Sequence, residues 1–384
     1  MAKKRNYNSA HMNKVRFVNP QLQYQNFKTE ILAKVDDVFS RGDLIMRKDL
    51  TDFEDAVAKF VGVKYAIGVN SGTDALSLAM EACGIGQGDE VITVGHTFMA
   101  SISAPYHVGA KAVLIDVGAD YDMNVAQIEA AITPNTKAIE PVQLNGRMCN
   151  MQAIMDIAKK HNLIVIEDAA QALGSKVKMA DGTWKMAGSI GDAGCFSMYP
   201  FKVLGGFGDA GILTTNNDEI AHKVKLLRFN GESREDRKFY YHGYTALLDN
   251  LQAALLSIKF KHLPKWLERR REIANRYLNG MKDIAGLALP HYGDDDTHYD
   301  IYQNYVIRTP KRDELVAFLN TNGVETMISW DTPMYHQPVM MPNSISLPET
   351  EAICKEVISL PMFPELTDEE VDYVIAKVRE FFHV

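Results

Sequence analysis

The sequence predicts an α/β protein in which a large region with a mostly parallel sheet precedes a smaller α+β region. Three observations predict it. Short apolar runs of strand length recur between residues 65 and 168. Stretches with apolar residues at helical spacing separate those runs. Past about residue 265 this alternation gives way to shorter mixed elements, and 384 residues suit two domains, 1–265 and 266–384.

Taken in order, residues 21–40 carry Phe27, Ile31, Leu32, Val35, Val38 and Phe39 at helical spacing, and Arg41-Gly-Asp43 stops the helix. A second helix over 50–61 places Phe53, Val57, Phe60 and Val61 on one face. The run at 65–69 reads as a buried strand, the turn Asn70-Ser-Gly-Thr-Asp74 follows, and a helix covers 75–82. Strands are expected at 90–94, 111–115, 137–142 and 163–168, with helices at 97–108, 124–131 and 150–161. A long helical pattern at 247–282 meets Pro264, which kinks or interrupts it. A strand at 302–308, a helix at 311–322 and a terminal helix at 367–382, with Val371, Val374, Ile375 and Val378 inside, complete the chain.

Composition narrows the function classes. The net charge of −8 argues against a general nucleic-acid partner. Cys83, Cys149, Cys195 and Cys354 are scattered without metal or redox spacing, as free thiols of a cytoplasmic protein would be. No apolar stretch has the length of a membrane span, and the polar start Met1-Ala-Lys-Lys-Arg5 is not a secretory signal. Met12 offers a second start, so residues 1–11 are given no function. The acidic loop Gly293-Asp-Asp-Asp296 lacks a calcium-loop pattern, and no metal site is expected.

The chemistry centres on one lysine. Lys202 lies between the apolar run from Ala193 to Phe201 and the glycines at 205, 206, 208 and 211. A lysine in such company either snorkels to solvent or is a desolvated amine able to form a Schiff base. Other residues favour the second reading. In open α/β sheets ligands bind beyond the carboxyl ends of the strands. Asn70–Asp74, His96-Thr-Phe98 and Asp168 all occupy such ends. Ser71, Thr73 or Asp74 suits a helix N-cap, but a strand, a Ser/Gly/Thr turn and a helix start also form a phosphate seat. Asp168 suits a helix cap or a partner for a cationic ring nitrogen. Pyridoxal 5′-phosphate (PLP) needs a Schiff-base lysine and an acid facing its pyridinium. Lys202 and Asp168 answer both needs, Phe98 offers a stacking ring, and Ser71, Thr73 and Ser197 offer phosphate donors.

With these residues in hand, the chain resembles the DegT/StrS family of PLP-dependent sugar aminotransferases from about residue 16 to the end. The matching stretches include Asn70-Ser-Gly-Thr-Asp-Ala-Leu76, Gly88-Asp-Glu-Val-Ile92, His96-Thr-Phe98, Ile166-Glu-Asp-Ala-Ala-Gln171, the Lys202 segment, Leu251-Gln-Ala-Ala254 and Ser359-Leu-Pro-Met-Phe-Pro364. The resemblance implies the aspartate-aminotransferase fold (fold type I), with a seven-stranded, mostly parallel sheet and a small C-terminal domain. It implies that Lys202 holds PLP as an internal aldimine and moves the proton between Cα and C4′. It implies that Asp168 keeps the pyridine nitrogen protonated and that Gln171 lies near the 3-oxygen. Phe98 would stack on the ring, and Ser71, Gly72, Thr73 and Ser197 would surround the phosphate. His96, Tyr199, Phe201 and Tyr244 are the expected substrate contacts. A homodimer with shared sites, L-glutamate as amino donor and a nucleotide-linked keto sugar as acceptor are implied as well.

One stretch departs from the family pattern Gly-x-Asn-x-Arg-Leu, whose Asn reaches the partner's phosphate site. Here it reads Gly243-Tyr-Thr-Ala-Leu-Leu248, so Thr245 stands for the Asn and Leu247 for the Arg. Thr245 retains a hydroxyl for the cofactor, whereas Leu247 cannot bind an anion. The form Tyr199-Pro-Phe-Lys-Val-Leu-Gly205 is similar to members acting at C3 of the sugar, with C4 as the alternative. A PLP-dependent sugar dehydratase would have His at the lysine position, and a regulatory homologue would not need Lys202 and Asp168. The resemblance implies amino-sugar biosynthesis for surface glycans or glycosylated metabolites.

Overall fold

Short apolar runs pair and amphipathic stretches cover them, because each buries its apolar side only against the other. The computed structural model describes residues 14–290 and 296–384; residues 1–11 and most of the acidic loop, Gly293-Asp-Asp295, lie outside the described residues. In chain order come α1 (Pro20–Arg41), α2 (Lys48–Val61), β1 (Tyr65–Val69), α3 (Gly72–Ala82), β2 (Glu90–Val94), α4 (Met99–His107), β3 (Lys111–Ile115) and α5 (Ile128–Ala131). Next are β4 (Thr136–Ile139), α6 (Met151–His161), β5 (Ile164–Asp168), β6 (Lys176–Lys178), β7 (Trp184–Met186), β8 (Ala193–Ser197), β9 (Gly211–Thr215), α7 (Asp218–Leu227) and α8 (Asn250–Phe260). The remainder is α9 (Leu263–Met281), β10 (His298–Tyr299), β11 (Tyr305–Arg308), α10 (Arg312–Thr321), α11 (Pro348–Glu356), β12 (Val357–Leu360) and α12 (Asp368–Phe382).

Among the described residues the main sheet has seven strands in the order β1-β9-β8-β5-β4-β2-β3. Pairing is parallel from β8 through β5, β4 and β2 to β3, and β9 runs antiparallel to both of its neighbours. The antiparallel strand matters for the site. Because β8 and β9 are sequential and adjacent, the loop at 198–210 that joins them carries Lys202 at the carboxyl end of β8.

Two local expectations shift for identifiable reasons. The strand expected at 137–142 ends at Ile139, short of Pro141, which lacks an N–H for the ladder. Pairing resumes where the Asp168 N–H donates to the Pro141 carbonyl at 2.9 Å and the Gln143 N–H to the Asp168 carbonyl at 2.9 Å. The long helix expected at 247–282 is two helices, α8 and α9. Pro264 sits in the first turn of α9, where its missing N–H leaves no bond unmade.

Burial divides among three main cores. The first lies on one face of the sheet and includes Phe53, Ile92, Phe196 and Leu267. The second gathers Tyr277, Tyr305, Leu315, Ile358 and Val374. The third, on the other face of the sheet, gathers Ile67, Leu78, Leu213 and Val224. Helix α9 bridges the first two: Leu263 and Leu267 belong to the first, Ile273, Tyr277 and Met281 to the second. The expected 265/266 boundary falls in the first turn of that helix. Val15, from the other end of the chain, pairs with Val324 and joins the second core. On α1, Ile31 and Val38 are buried, whereas Leu32 and Phe39 are 52 % and 56 % exposed, leaving part of the expected apolar face uncovered. No helix among the described residues is long and apolar enough to cross a membrane.

Candidate active site

The carboxyl ends of β1, β5 and β8 open into one cavity of about 710 Å³. Ser71, Gly72, Thr73 and Phe98 line one part of it, and Asp168, Gln171, Ser197, Tyr199, Phe201 and Lys202 line another. A parallel sheet presents the residues after its strands on one edge, which is why motifs far apart in sequence meet here. A smaller cleft of about 420 Å³ beside Tyr121 and Arg308 contains none of them, and Arg308 is already paired with Glu349 and Glu356.

The seat at the start of α3 combines two roles. Ser71 is the N-cap: its Oγ accepts the Asp74 N–H at 3.0 Å and donates to Asp74 Oδ2 at 2.7 Å. The amides of Gly72 and Thr73 begin the helix and have no intrahelical acceptor, so they are left for an anion. Close approach requires glycine. A Cβ on Gly72 would lie 2.8 Å from Ser197 Cβ, and one on Gly211 would lie 2.3 Å from the Ser71 carbonyl oxygen. These glycines bring the helix start against the end of β8.

Asp168 ends β5 and is 6 % exposed. Its Oδ2 accepts from Ser101 Oγ at 2.7 Å, its Oδ1 accepts the Ala170 N–H at 3.1 Å, and Ser101 is held by Thr97 Oγ1 at 2.7 Å. Burial pushes the carboxyl above the ordinary carboxylate range, while the Ser101 and Ala170 bonds and the Lys202 charge pull it back. Glu140, just past β4, is wholly buried, and neither carboxyl oxygen finds a hydrogen-bond partner among the described residues. Burial first, and then the Asp168 charge, push Glu140 well above the ordinary carboxylate range.

Lys202 projects into the cavity. Burial lowers its amine from the ordinary 10.5 to about 8, with Asp168 pulling the other way. A larger share is therefore the free amine near neutrality than for a surface lysine, which is the nucleophilic form. Gln171 Oε1 accepts the Asn145 N–H at 2.8 Å, which leaves the Gln171 NH₂ as a donor. Phe98 is 60 % exposed at the cavity rim.

Three expected residues lie elsewhere in this chain. His96 is 4 % exposed, packs edge-on to Trp330 at 5.3 Å and beside Tyr121 at 6.1 Å, and does not line the cavity. Burial, then the Arg308 charge, lower it to about 3, so it is a neutral support for Trp330, which does line the cavity. Tyr244 is at the surface with its hydroxyl donating to Glu81 at 2.9 Å. Thr245 is exposed, its Oγ1 donates to Asn230 Oδ1 at 3.3 Å, and it too lies outside the chain's own cavity. Sequence reading missed Ser101, Gln303, Asn304 and the wall at 327–330. Ser101 had a signal, standing one helical turn beyond Thr97 and Phe98. The others sit in the C-terminal region without a motif.

The donor set fits PLP. Lys202 offers an amine for an aldehyde, Asp168 a buried carboxylate for a ring nitrogen, and the open amides of Gly72 and Thr73 with the Ser197 hydroxyl an anion seat. All face one cavity that Gly72 and Gly211 shape. Among the described residues no group of three or more His, Cys, Asp or Glu could hold a metal ion.

Comparison with known proteins agrees. The sequence profile of the DegT/DnrJ/EryC1/StrS aminotransferase family matches residues 25–379. A Geobacillus stearothermophilus protein named "Pleiotropic regulatory protein" is 41% identical over 94% of this chain and 96% of its own. The dTDP-3-amino-3,4,6-trideoxy-alpha-D-glucose transaminase of Micromonospora megalomicea subsp. nigra is 37% identical, over the same shares of the two chains, 94% and 96%. The crystal structure of S. venezuelae DesV in complex with a ketimine intermediate superposes with a TM-score of 0.91 at 35% identity, covering 96% of this chain and 99% of that one. By profile, fold and cavity chemistry alike, the chain belongs to the DegT/DnrJ/EryC1/StrS aminotransferase family and is a fold-type I, PLP-dependent aminotransferase.

Proposed function

We propose that the chain transfers an amino group from L-glutamate to the C3 keto group of a nucleotide-linked deoxy sugar. The observation that carries this reading is the convergence of Lys202, Asp168 and the open start of α3 on one cavity. When bound, the cofactor would supply a carbonyl for the amino group and an electron-accepting ring. The chain would do the rest. Asp168 would hold a proton at the pyridine nitrogen, and Ser101 orients that carboxylate. The amides of Gly72 and Thr73 and the Ser197 hydroxyl would receive the phosphate. Gln171 would donate toward the 3-oxygen, and Phe98 would cover a ring face and exclude water from it. Lys202, once free as an amine, would move the proton between the donor's Cα and C4′ of the cofactor, and back again for the acceptor, so a single base serves both half-reactions.

The charge of the cavity bears on how it would hold its substrates. Among the described residues that line it, Lys202 is the one Lys or Arg. Glutamate, the cofactor phosphate and a nucleotide diphosphate are all anionic, so further cations come from a second copy of the chain. Phe239 is 68 % exposed and Tyr240 54 % exposed in the loop that also carries Arg234, Arg237 and Lys238. Leu32 and Phe39 on α1 are exposed as well, and exposed apolar side chains of this kind are what two-fold assembly covers. In this reading Tyr244 and Thr245 approach the partner's cavity, and Tyr199 and Phe201 border the sugar. The Tyr199-Pro-Phe-Lys202 form and the amino position in the name of the Micromonospora relative support C3 over C4. Four free cysteines support a cytoplasmic setting.

The name of the Geobacillus relative favours a second reading, a regulatory protein on the same fold. An absorbance scan separates the two. The enzyme reading expects a visible band with PLP that shifts when glutamate is added, followed by glutamate-dependent amination of one ketosugar nucleotide in a screened set. No shift with glutamate, and no amination of any, selects the regulator.

A further inference from the structure

Gln303 stands two residues before β11, is 7 % exposed and borders the cavity. Its Oε1 accepts the Val203 N–H at 2.8 Å, and its Nε2 donates to the Phe201 carbonyl at 2.9 Å. One side-chain amide therefore pairs with the backbone on both sides of Lys202, as a neighbouring strand would. A third bond acts on the same turn: the Lys202 N–H donates to the Tyr199 carbonyl at 2.8 Å. The peptide plane between 201 and 202 is held at its oxygen and at its nitrogen, and the next plane is held at the nitrogen of Val203. Two fixed peptide planes leave Lys202 no freedom in φ and ψ. Its Cα–Cβ bond then points one way, and only the side-chain torsions remain to place Nζ.

Gln303 is itself anchored from the C-terminal core. Arg270, on α9 and 4 % exposed, donates through Nη1 to the carbonyls of Tyr302 at 2.9 Å, Gln303 at 3.2 Å and Met362 at 3.2 Å. A buried guanidinium that holds three backbone carbonyls fixes the strand entry from which the Gln303 amide projects. The path runs from α9 through Arg270 and Gln303 to the lysine turn, across about a hundred residues of sequence.

We propose that Gln303 is a positioning residue for transamination, one that sets the direction from which the Lys202 amine reaches the reacting carbon and ties that direction to the C-terminal core. The inference rests on the role of Lys202 given above. A misplacement of about 1 Å between reacting groups costs on the order of 100-fold in rate, so the clamp affects the chemical step more than substrate binding.

The test uses Gln303→Met, which keeps length and shape and removes both hydrogen bonds. We expect kcat to fall about 10- to 100-fold with KM for both substrates within about threefold. The primary isotope effect with glutamate deuterated at Cα should rise, because proton transfer becomes more fully rate-limiting. Independently of turnover, visible absorbance should develop about 10-fold more slowly when PLP is added to the apoprotein, while the final occupancy stays that of wild type. If Gln303→Met does not fold, Gln303→Glu, which keeps the acceptor for Val203 and loses the donor to Phe201, carries the test with losses in the same direction. Folded variants with kcat and absorbance kinetics within about twofold of wild type would overturn the proposal. So would a kcat loss accounted for entirely by lower PLP occupancy. Lys202→Ala serves as the control: full turnover there would sink the lysine assignment itself, a failure distinct from that of Gln303.

Discussion

The strand-end wall of the cavity and the loop at 232–247 are built on opposite physical terms. In the wall, Asp168 is 6 % exposed and holds bonds from Ser101 and Ala170, and glycines let α3 and β8 meet at van der Waals distance. In the loop, Phe239, Tyr240, Tyr241 and Tyr244 are all at least 40 % exposed, and Thr245 finds one long bond to Asn230. The hydrogen bonds of the wall are made within one chain and hold charge in a dry place. The loop exposes its large aromatic side chains, apolar surface of the kind that marks an interface. The difference teaches where to look for each function: the cofactor's chemistry in the wall, and contact with another surface in the loop.

The largest expected effect tests the wall. Lys202→Ala should reduce turnover by at least ~10²–10⁴-fold, because both the nucleophile and the proton carrier are gone. Steady-state assays with glutamate and the ketosugar nucleotide check it, and colour is no guide, since the variant can still bind PLP without a covalent bond. Next is Asp168→Asn, which keeps the oxygen that accepts the Ala170 N–H and removes the charge. A loss in kcat of roughly 10²–10³-fold with an unchanged melting temperature is expected, as for other preorganised electrostatic groups. Near-wild-type kcat would reduce Asp168 to a turn cap.

A third prediction concerns the cost of burying the lysine. Between about 8 and 10.5 the unfolded apoprotein binds a proton at Lys202 that the folded one does not. Folded apoprotein therefore gains stability as pH rises through that window and carries the full cost below it. Lys202→Met should make the apoprotein more stable near pH 7 by roughly 1–3 kcal/mol, with the gap closing toward pH 10.5. Urea melts of both apoproteins near the two ends of the window decide. A gap that is the same at both would show that the ammonium is well solvated.

The smallest effect belongs to the loop. Thr245→Val removes one neutral hydroxyl, worth about 0.5–1.5 kcal/mol, so PLP or substrate binding should weaken about tenfold or less. Sedimentation should still report a dimer. A fully active monomer at micromolar concentration would dissolve the contrast between wall and loop, since the wall alone would then suffice.

Much of this was legible in the sequence, because the relevant information is local. Alternation of period two and period 3.6 marks strands and helices one segment at a time. The residues just beyond strand ends in a parallel sheet are bound to share an edge, so Ser71, Phe98 and Asp168 could be gathered from their positions, while Lys202 stood out by its apolar and glycine-rich flanks. The two-residue spacing of Phe98 and His96 could not tell which ring faces the cavity. That depended on Trp330 and Tyr121, which wall His96 in from elsewhere in the chain. Nor could the chain order reveal that β9 inserts antiparallel between β1 and β8, or that Val15 belongs with Val324.

By itself, then, the sequence determined the elements from α1 to β5 and the terminal helix, the edge at which the cavity opens, and the lysine and aspartate that line it. Tertiary structure alone decided which side chains reach that edge from far away. Gln303 has no motif, and its claim on Lys202 exists because Arg270 and the C-terminal core hold a strand entry against the lysine turn. The physical reason is one of range: backbone preference and hydrophobic period act over a few residues, whereas a hydrogen bond across a hundred residues is specified by the packing of everything between them.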